Sequence, residues 1–155
     1  MSSSAAGLTF VDASGWIALV NRHDTLHQEC VQPLQQRLGE GQGLITSSVV
    51  LLEVGNWLSP FSSRRLASEL YGRIRRSQRI EVVELTSDLC RKGWQLYGHR
   101  LDKDWGVIDC ISFTIMQERG ITDALTADRH FEQAGFTPYS SSATIRRRAG
   151  SPWLG

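Results

Sequence analysis

The chain has 155 residues, 41% hydrophobic and 21% charged, with a formal net charge of +1. That length suits one domain with its own core, and the composition is that of an ordinary globular protein, which excludes a disordered or collagenous chain. So small a net charge excludes a global basic field, so any nucleic-acid contact must come from local clusters.

The elements read in order as follows. MSSSAAG, residues 1–7, has neither a basic start nor an apolar stretch, so it is a flexible lead-in and not a secretory signal. Leu8 to Val11 is a buried strand, Asp12 to Gly15 a turn, and Trp16 to Val20 a short helix. Asp24 caps a helix to about Leu38, with Leu26, Cys30, Leu34 and Leu38 at fourfold spacing. Leu44 to Thr46 is a second strand. Ser47 or Ser48 opens a helix through Leu58, stopped by Ser59-Pro60. Ser62 or Ser63 opens another, whose apolar stripe is Leu66, Leu70 and Ile74 and whose other faces are arginine-rich. Ile80 to Leu85 is a third strand, and Thr86-Ser87-Asp88 caps a helix through about His99. After a charged loop, Val107 to Arg119 is a helix ended by Gly120. Ala124 to Thr126 is a fourth strand, Asp128 to Ala134 a short helix, and Phe136 to Pro138 a fifth strand at an edge, where proline is tolerated. Residues 140–155 show no clear periodicity and form a C-terminal tail, open to disorder, with a basic run Arg146-Arg147-Arg148 that has no assigned role.

Alternating strands and helices imply an α/β fold with a central, mostly parallel sheet of four to five strands between helical layers, in one domain over 8–139. No apolar run is long enough to span a membrane. The three cysteines, Cys30, Cys90 and Cys110, lie in apolar helical patterns without metal-binding spacing. They read as reduced core residues of a cytoplasmic protein.

Four carboxylates stand in apolar company. Asp12 closes the first strand, Glu53 lies in SSVVLLEVGNWL, Asp109 is flanked by Val107, Ile108, Cys110 and Ile111, and Asp128 follows the fourth strand. A lone desolvated carboxylate is costly, so such residues are paired, protonated or bound to a cation. Ligands of open parallel sheets bind beyond the carboxyl ends of the strands, where all four acids converge if the elements fall as read. Each also has a structural reading. Asp12 and Asp128 suit helix or turn caps, and Asp109 suits the first turn of a helix through the macrodipole. Glu53 is harder to place so, because its helical neighbours Val49, Val50 and Trp57 are apolar. Thr126 offers a hydroxyl to a carboxylate or to water in the site, or is simply a good strand residue. Asp104 is a solvated loop acid or leans into a cation site. His130 and His99 lack partners at zinc-binding spacing. Trp16, Trp57, Trp94 and Trp105 read mainly as core, and Trp105, in the charged loop, also as a stacking platform for a base. Arg64, Arg65, Arg73 and Arg76 form a solvated helix face or a surface for phosphates or an acidic partner.

In FVDASGWIAL, SSVVLLEVGNWL, DKDWGVIDCISFTIM and ALTADRHF the chain resembles the PIN-domain nucleases, in particular the VapC-like toxin ribonucleases of prokaryotic toxin–antitoxin pairs. The resemblance covers about Thr9 to Pro138. It implies a three-layer α/β/α sandwich and a metal-dependent endoribonuclease with Asp12, Glu53, Asp109 and Asp128 as catalytic and metal-binding acids. It implies Thr126 as a supporting hydroxyl near the last acid. Mg²⁺ or Mn²⁺ suits an all-oxygen donor set, relieves the mutual repulsion of the acids and activates water for attack on phosphorus. The implied partners are an RNA substrate, a small antitoxin held between the helices around Glu53 and Arg64 to Ile74, and a second copy in a homodimer. The rival readings are a non-toxin RNA-processing nuclease, an inactive module that binds RNA or protein, and a phosphohydrolase or receiver-like domain phosphorylated on Asp12.

Overall fold

The protein is described by a computed structural model over residues 7–138. The lead-in before Gly7 and the tail with Arg146 to Arg148 lie outside the described residues. Five strands form one sheet: β1 (Leu8–Val11), β2 (Gly43–Ser47), β3 (Ile80–Val83), β4 (Asp123–Leu125) and β5 (Thr137–Pro138). Their order is β3-β2-β1-β4-β5 and every pairing is parallel.

Parallel neighbours need crossovers, and crossovers are right-handed. The steps β1 to β2 and β2 to β3 run one way along the sheet. They carry α1 (Ala13–Val20), α2 (Thr25–Gly39), α3 (Ser48–Trp57) and α4 (Arg64–Arg76) over one face. The step from β3 to β4 reverses direction, so α5 (Ser87–His99) and α6 (Val107–Arg119) cover the other face, where the short α7 (His130–Gln133) follows. The reversal lies between β1 and β4. That switch point is where an open parallel sheet leaves a crevice at its carboxyl edge.

The core fills both layers. Phe10 and Val11 of β1, Ile45 of β2, Leu125 of β4, and Phe113 and Met116 of α6 have no exposed surface. Phe113 meets Phe131 edge-on at 4.9 Å and Trp105 at 5.0 Å, tying α6 to α7 and to the loop before α6.

Element bounds differ from the sequence reading in informative places. The Asp12 to Gly15 turn is already helix, because Asp12 caps α1 by accepting from the Gly15 N–H at 2.9 Å. Gly15 looks like a turn residue but serves a close approach: a Cβ there would stand 2.2 Å from the Leu125 carbonyl oxygen. Trp57 and Trp94, core residues by their sequence pattern, are 68% and 55% exposed. Cys30 and Cys110 are buried as expected, whereas Cys90 is half-buried, and all three are free thiols. No described helix is long and apolar enough to cross a membrane.

Candidate active site

The site begins with strand register. Val11 pairs with Leu125, so the residues that follow, Asp12 and Thr126, emerge side by side at the carboxyl edge. The Thr126 hydroxyl donates to Asp12 Oδ2 at 2.6 Å. Ser14 Oγ donates to Asp12 Oδ1 at 2.7 Å and accepts from the Ala127 N–H at 2.9 Å. Asp12 is thereby held by three donors while nearly buried. Thr126 also accepts from the Asp128 N–H at 2.9 Å, which fixes the start of the loop bearing that acid. Asp128 Oδ1 in turn accepts from the His130 N–H across a tight turn, while the N-cap of α7 is Arg129, so Asp128 is not the helix cap the sequence suggests.

Asp109 comes from the opposite helical layer. Its Oδ2 accepts from the Gly106 N–H at 3.2 Å, as an acid in the first turn of α6 should, and lies 3.3 Å from His130 Nδ1. The same imidazole nitrogen lies 3.2 Å from Asp128 Oδ1. Glu53, on α3, completes the set. Asp12, Glu53, Asp109 and Asp128 line one cavity of about 340 Å³, together with Ile17, Val50, Trp57 and Ile108.

Electrostatics record the crowding. Burial raises the Asp12 carboxyl from 3.8 to about 6 against the hydrogen bonds from Thr126, Gly15 and Ser14, with the charge of Asp128 adding to the rise. Glu53 is raised by burial and by the charges of Asp109, Asp12 and Asp128. Asp109 is raised by burial and by Asp128, and is relieved by Gly106 and His130. Like-charged acids that raise one another across a cavity are what a cation would relieve.

The four expected acids and Thr126 are therefore brought together. Among the described residues, the one tight group of potential metal ligands is Asp109, Asp128 and His130, whose donor atoms lie within 4.8 Å of one another. Oxygen donors dominate the cavity, which fits a hard divalent cation better than zinc. Ser14 and His130 are additions to the expected set. Ser14 had a weak signal in its place two residues after Asp12, within reach of that carboxylate in the turn after a strand. His130 had none at zinc-binding spacing, because its partners are acids.

Other residues singled out in the sequence lie apart from the acids. Asp104 is exposed and is not among the residues that line the cavity, which suits its reading as a solvated loop acid. Trp105 is 5% exposed; its indole N–H donates to Gln133 Oε1, its ring meets Phe113 edge-on, and the Arg100 guanidinium lies 4.8 Å from its centroid. A ring so occupied offers no face to a base. Arg64, Arg65, Arg73 and Arg76 are exposed on α4, away from the cavity wall; Arg65 pairs with Glu69 and Arg64 reaches the Ser59 carbonyl.

Residues 9–137 match the PIN domain family. The chain belongs to the PIN-domain family. Within it the chain is VapC-like: it is 30% identical over 131 residues to the 23S rRNA-specific endonuclease VapC20 of Mycobacterium tuberculosis, covering 83% of this chain and 95% of that one. The crystal structure of that VapC20, a sarcin–ricin-loop cleaving toxin, is similar at a TM-score of 0.73 and 29% identity, over 86% of this chain and 98% of the other. VapBC2 from Rickettsia felis, bound to a promoter DNA fragment, gives a TM-score of 0.61 at 14% identity over 82% and 92% of the two chains. FitAcB from Neisseria gonorrhoeae gives 0.56 at 12% over 85% and 96%. At those identities the last two report the PIN fold alone. The all-parallel sheet between helical layers is that fold.

Proposed function

We propose that this PIN-domain protein is a metal-dependent endoribonuclease and the toxin of a toxin–antitoxin pair. The observation that carries the reading is the convergence of Asp12, Glu53, Asp109 and Asp128 in one cavity of a chain that aligns over 83% of its length with an RNA endonuclease. Asp109, Asp128 and His130 would hold the cation, with Asp12 and Glu53 completing the negative cavity. Mg²⁺ or Mn²⁺, when bound, supplies the positive charge that a phosphodiester needs in its transition state and makes water a better nucleophile. The chain's own contribution is preorganisation. Thr126, Ser14 and the Gly15 N–H fix the Asp12 carboxylate, and His130 stands between Asp109 and Asp128 where a proton or a phosphate oxygen is within reach. Among the described residues no Ser or Cys of the cavity stands beside a neutral base that would activate it as a covalent nucleophile, which favours direct hydrolysis.

An antitoxin partner is part of the same reading. A groove of about 220 Å³ between α3 and α4 is lined by Leu51, Val54, Ala67, Leu70 and Tyr71. It suits the apolar face of a short amphipathic helix, and the arginines of α4 suit acidic residues flanking that helix. The relatives' ribosomal target makes 23S rRNA the first substrate to try.

The test is cleavage of ribosomal RNA and of a mixed RNA pool by purified protein in Mg²⁺, in Mn²⁺ and with EDTA, beside Asp109→Asn. Cation-dependent cutting by the wild type, lost in a folded Asp109→Asn, is the expected result. Equal cutting by the variant would remove Asp109 from the chemistry. No cutting at all by folded, inhibitor-free protein would favour a module that binds without turnover.

A further inference from the structure

We infer that Trp57 is the platform on which a nucleobase of the substrate stacks beside the reacting phosphate, an inference that rests on the endoribonuclease reading. Trp57 is 68% exposed although it is among the largest apolar side chains in the protein. Neither its ring nor its indole N–H has a partner among the described residues. The other exposed aromatics differ. Trp94 and Tyr97 meet each other edge-on at 5.4 Å, Tyr71 lies under the Arg75 guanidinium at 5.2 Å, and Phe61 is not part of the acid cavity. Among the described residues, Trp57 is the one exposed large apolar side chain that lines the cavity containing the four acids.

The helix explains why it is there. Trp57 follows Glu53 by four positions on α3, so the two share a face and are separated by about 6 Å along the axis. That is within the span of one nucleotide splayed out of a stack. The cavity is also divided by chemistry. Asp12, Asp109 and Asp128 suit a cation and, through it, a phosphate. Trp57, Ile17, Val50 and Ile108 form an apolar wall that repels neither a base nor a sugar and has no cation for a phosphate. Single-stranded RNA is commonly read by unstacked bases laid on aromatic rings, and one such ring contributes binding whatever the base identity. The stacking role assigned to Trp105 on sequence grounds thus moves to Trp57, whose face is open.

The experiment compares the full chain with Trp57→Ala and Trp57→Phe on a fluorescein-labelled sarcin–ricin-loop hairpin RNA. Cleavage is measured in Mn²⁺ for kcat and KM. Binding is measured by anisotropy in an Asp12→Asn background. The platform predicts that Trp57→Ala raises KM and Kd about tenfold, leaves kcat within about twofold, and that Trp57→Phe recovers most of the loss. Thermal melting should be unchanged, because the ring is exposed. Unchanged binding by Trp57→Ala overturns the inference, and so does a Trp57→Phe as weak as the alanine variant. If the wild type cuts nothing, the enzyme reading falls while the anisotropy arm still decides the platform, and an RNA-binding arm with no Trp57 dependence removes it.

Discussion

The Thr126 hydroxyl donates to Asp12 Oδ2 at 2.6 Å across 114 residues of sequence, and this contact favours the charged form of the most buried acid of the site. It is one of three hydrogen bonds that oppose the burial raising Asp12 to about 6. In Thr126→Val the carboxylate loses that donor and its pKa rises further, on the order of one pH unit. The acid limb of the cleavage profile should move to higher pH, so activity at pH 6 falls more than activity at pH 8. Thr126→Ser keeps the hydroxyl and should keep the wild-type limb. A pH–rate profile of the three proteins decides it, and coincident limbs would mean that Asp12 does not govern activity.

The same shift fixes the sign of a stability effect in metal-free protein. Asp12 titrates near 3.8 when unfolded and near 6 when folded, so the folded state holds the proton more tightly. That contribution is fully present below about pH 4 and is lost as pH rises through about 6, a change of about 3 kcal/mol for this group. Glu53 and Asp109 are raised as well and act in the same direction. Metal-free protein should therefore gain urea resistance between pH 7.5 and pH 5. Asp12→Asn should flatten that slope and be the more stable protein at pH 7.5, while losing cleavage. Added Mn²⁺ should stabilise the wild type at pH 7.5 and do less for the variant.

Much of this site was legible because its chemistry conflicts with its local sequence. Asp109 and Glu53 stand out as acids among apolar residues, and strand periodicity places Asp12 at a strand end. What escaped was set by three-dimensional neighbours. Trp57 and Trp105 both have a sequence claim to the core; Phe113, Arg100 and, from 28 residues away, Gln133 enclose Trp105, whereas Trp57 is left exposed on α3. His130 has no imidazole or thiol partner to announce it, because its neighbours Asp109 and Asp128 are carboxylates. Gly15 carries the signal of a turn, whereas its cause is the Leu125 carbonyl across the sheet.

Far from the acids, Arg37 of α2 donates to Asp123 Oδ2 at 2.8 Å and to Thr9 Oγ1 at 3.0 Å, joining α2 to the amino ends of β1 and β4. Both charged side chains are mostly shielded, at 21% and 28% exposure. Arg37→Leu leaves Asp123 without this partner, and a cost of about 1–3 kcal/mol is expected. Urea denaturation should show it, with kcat and KM at 25 °C unchanged because the carboxyl edge is untouched. A large loss of kcat in the folded variant would show that the staple also sets the β1–β4 register at the site.

Two glycines in the first-face helices should respond oppositely to alanine. At Gly15 the new Cβ would meet the Leu125 carbonyl oxygen at 2.2 Å and Val11 Cγ1 at 3.0 Å. The nearer atom is backbone, so α1 and β4 must separate, at a cost of about 1–3 kcal/mol or more. That separation also parts Asp12 from Thr126, so Gly15→Ala should lose cleavage beyond what its unfolded fraction explains. At Gly55, inside α3, a Cβ meets nothing within 4 Å. Gly55→Ala removes backbone freedom from the unfolded chain and should stabilise by about 0.5–1 kcal/mol. Denaturation curves with kcat for both variants test the pair. A benign Gly15→Ala would mean that β4 tolerates displacement at the very residue pair whose register builds the site, and the positioning role given to Thr126 would fail with it.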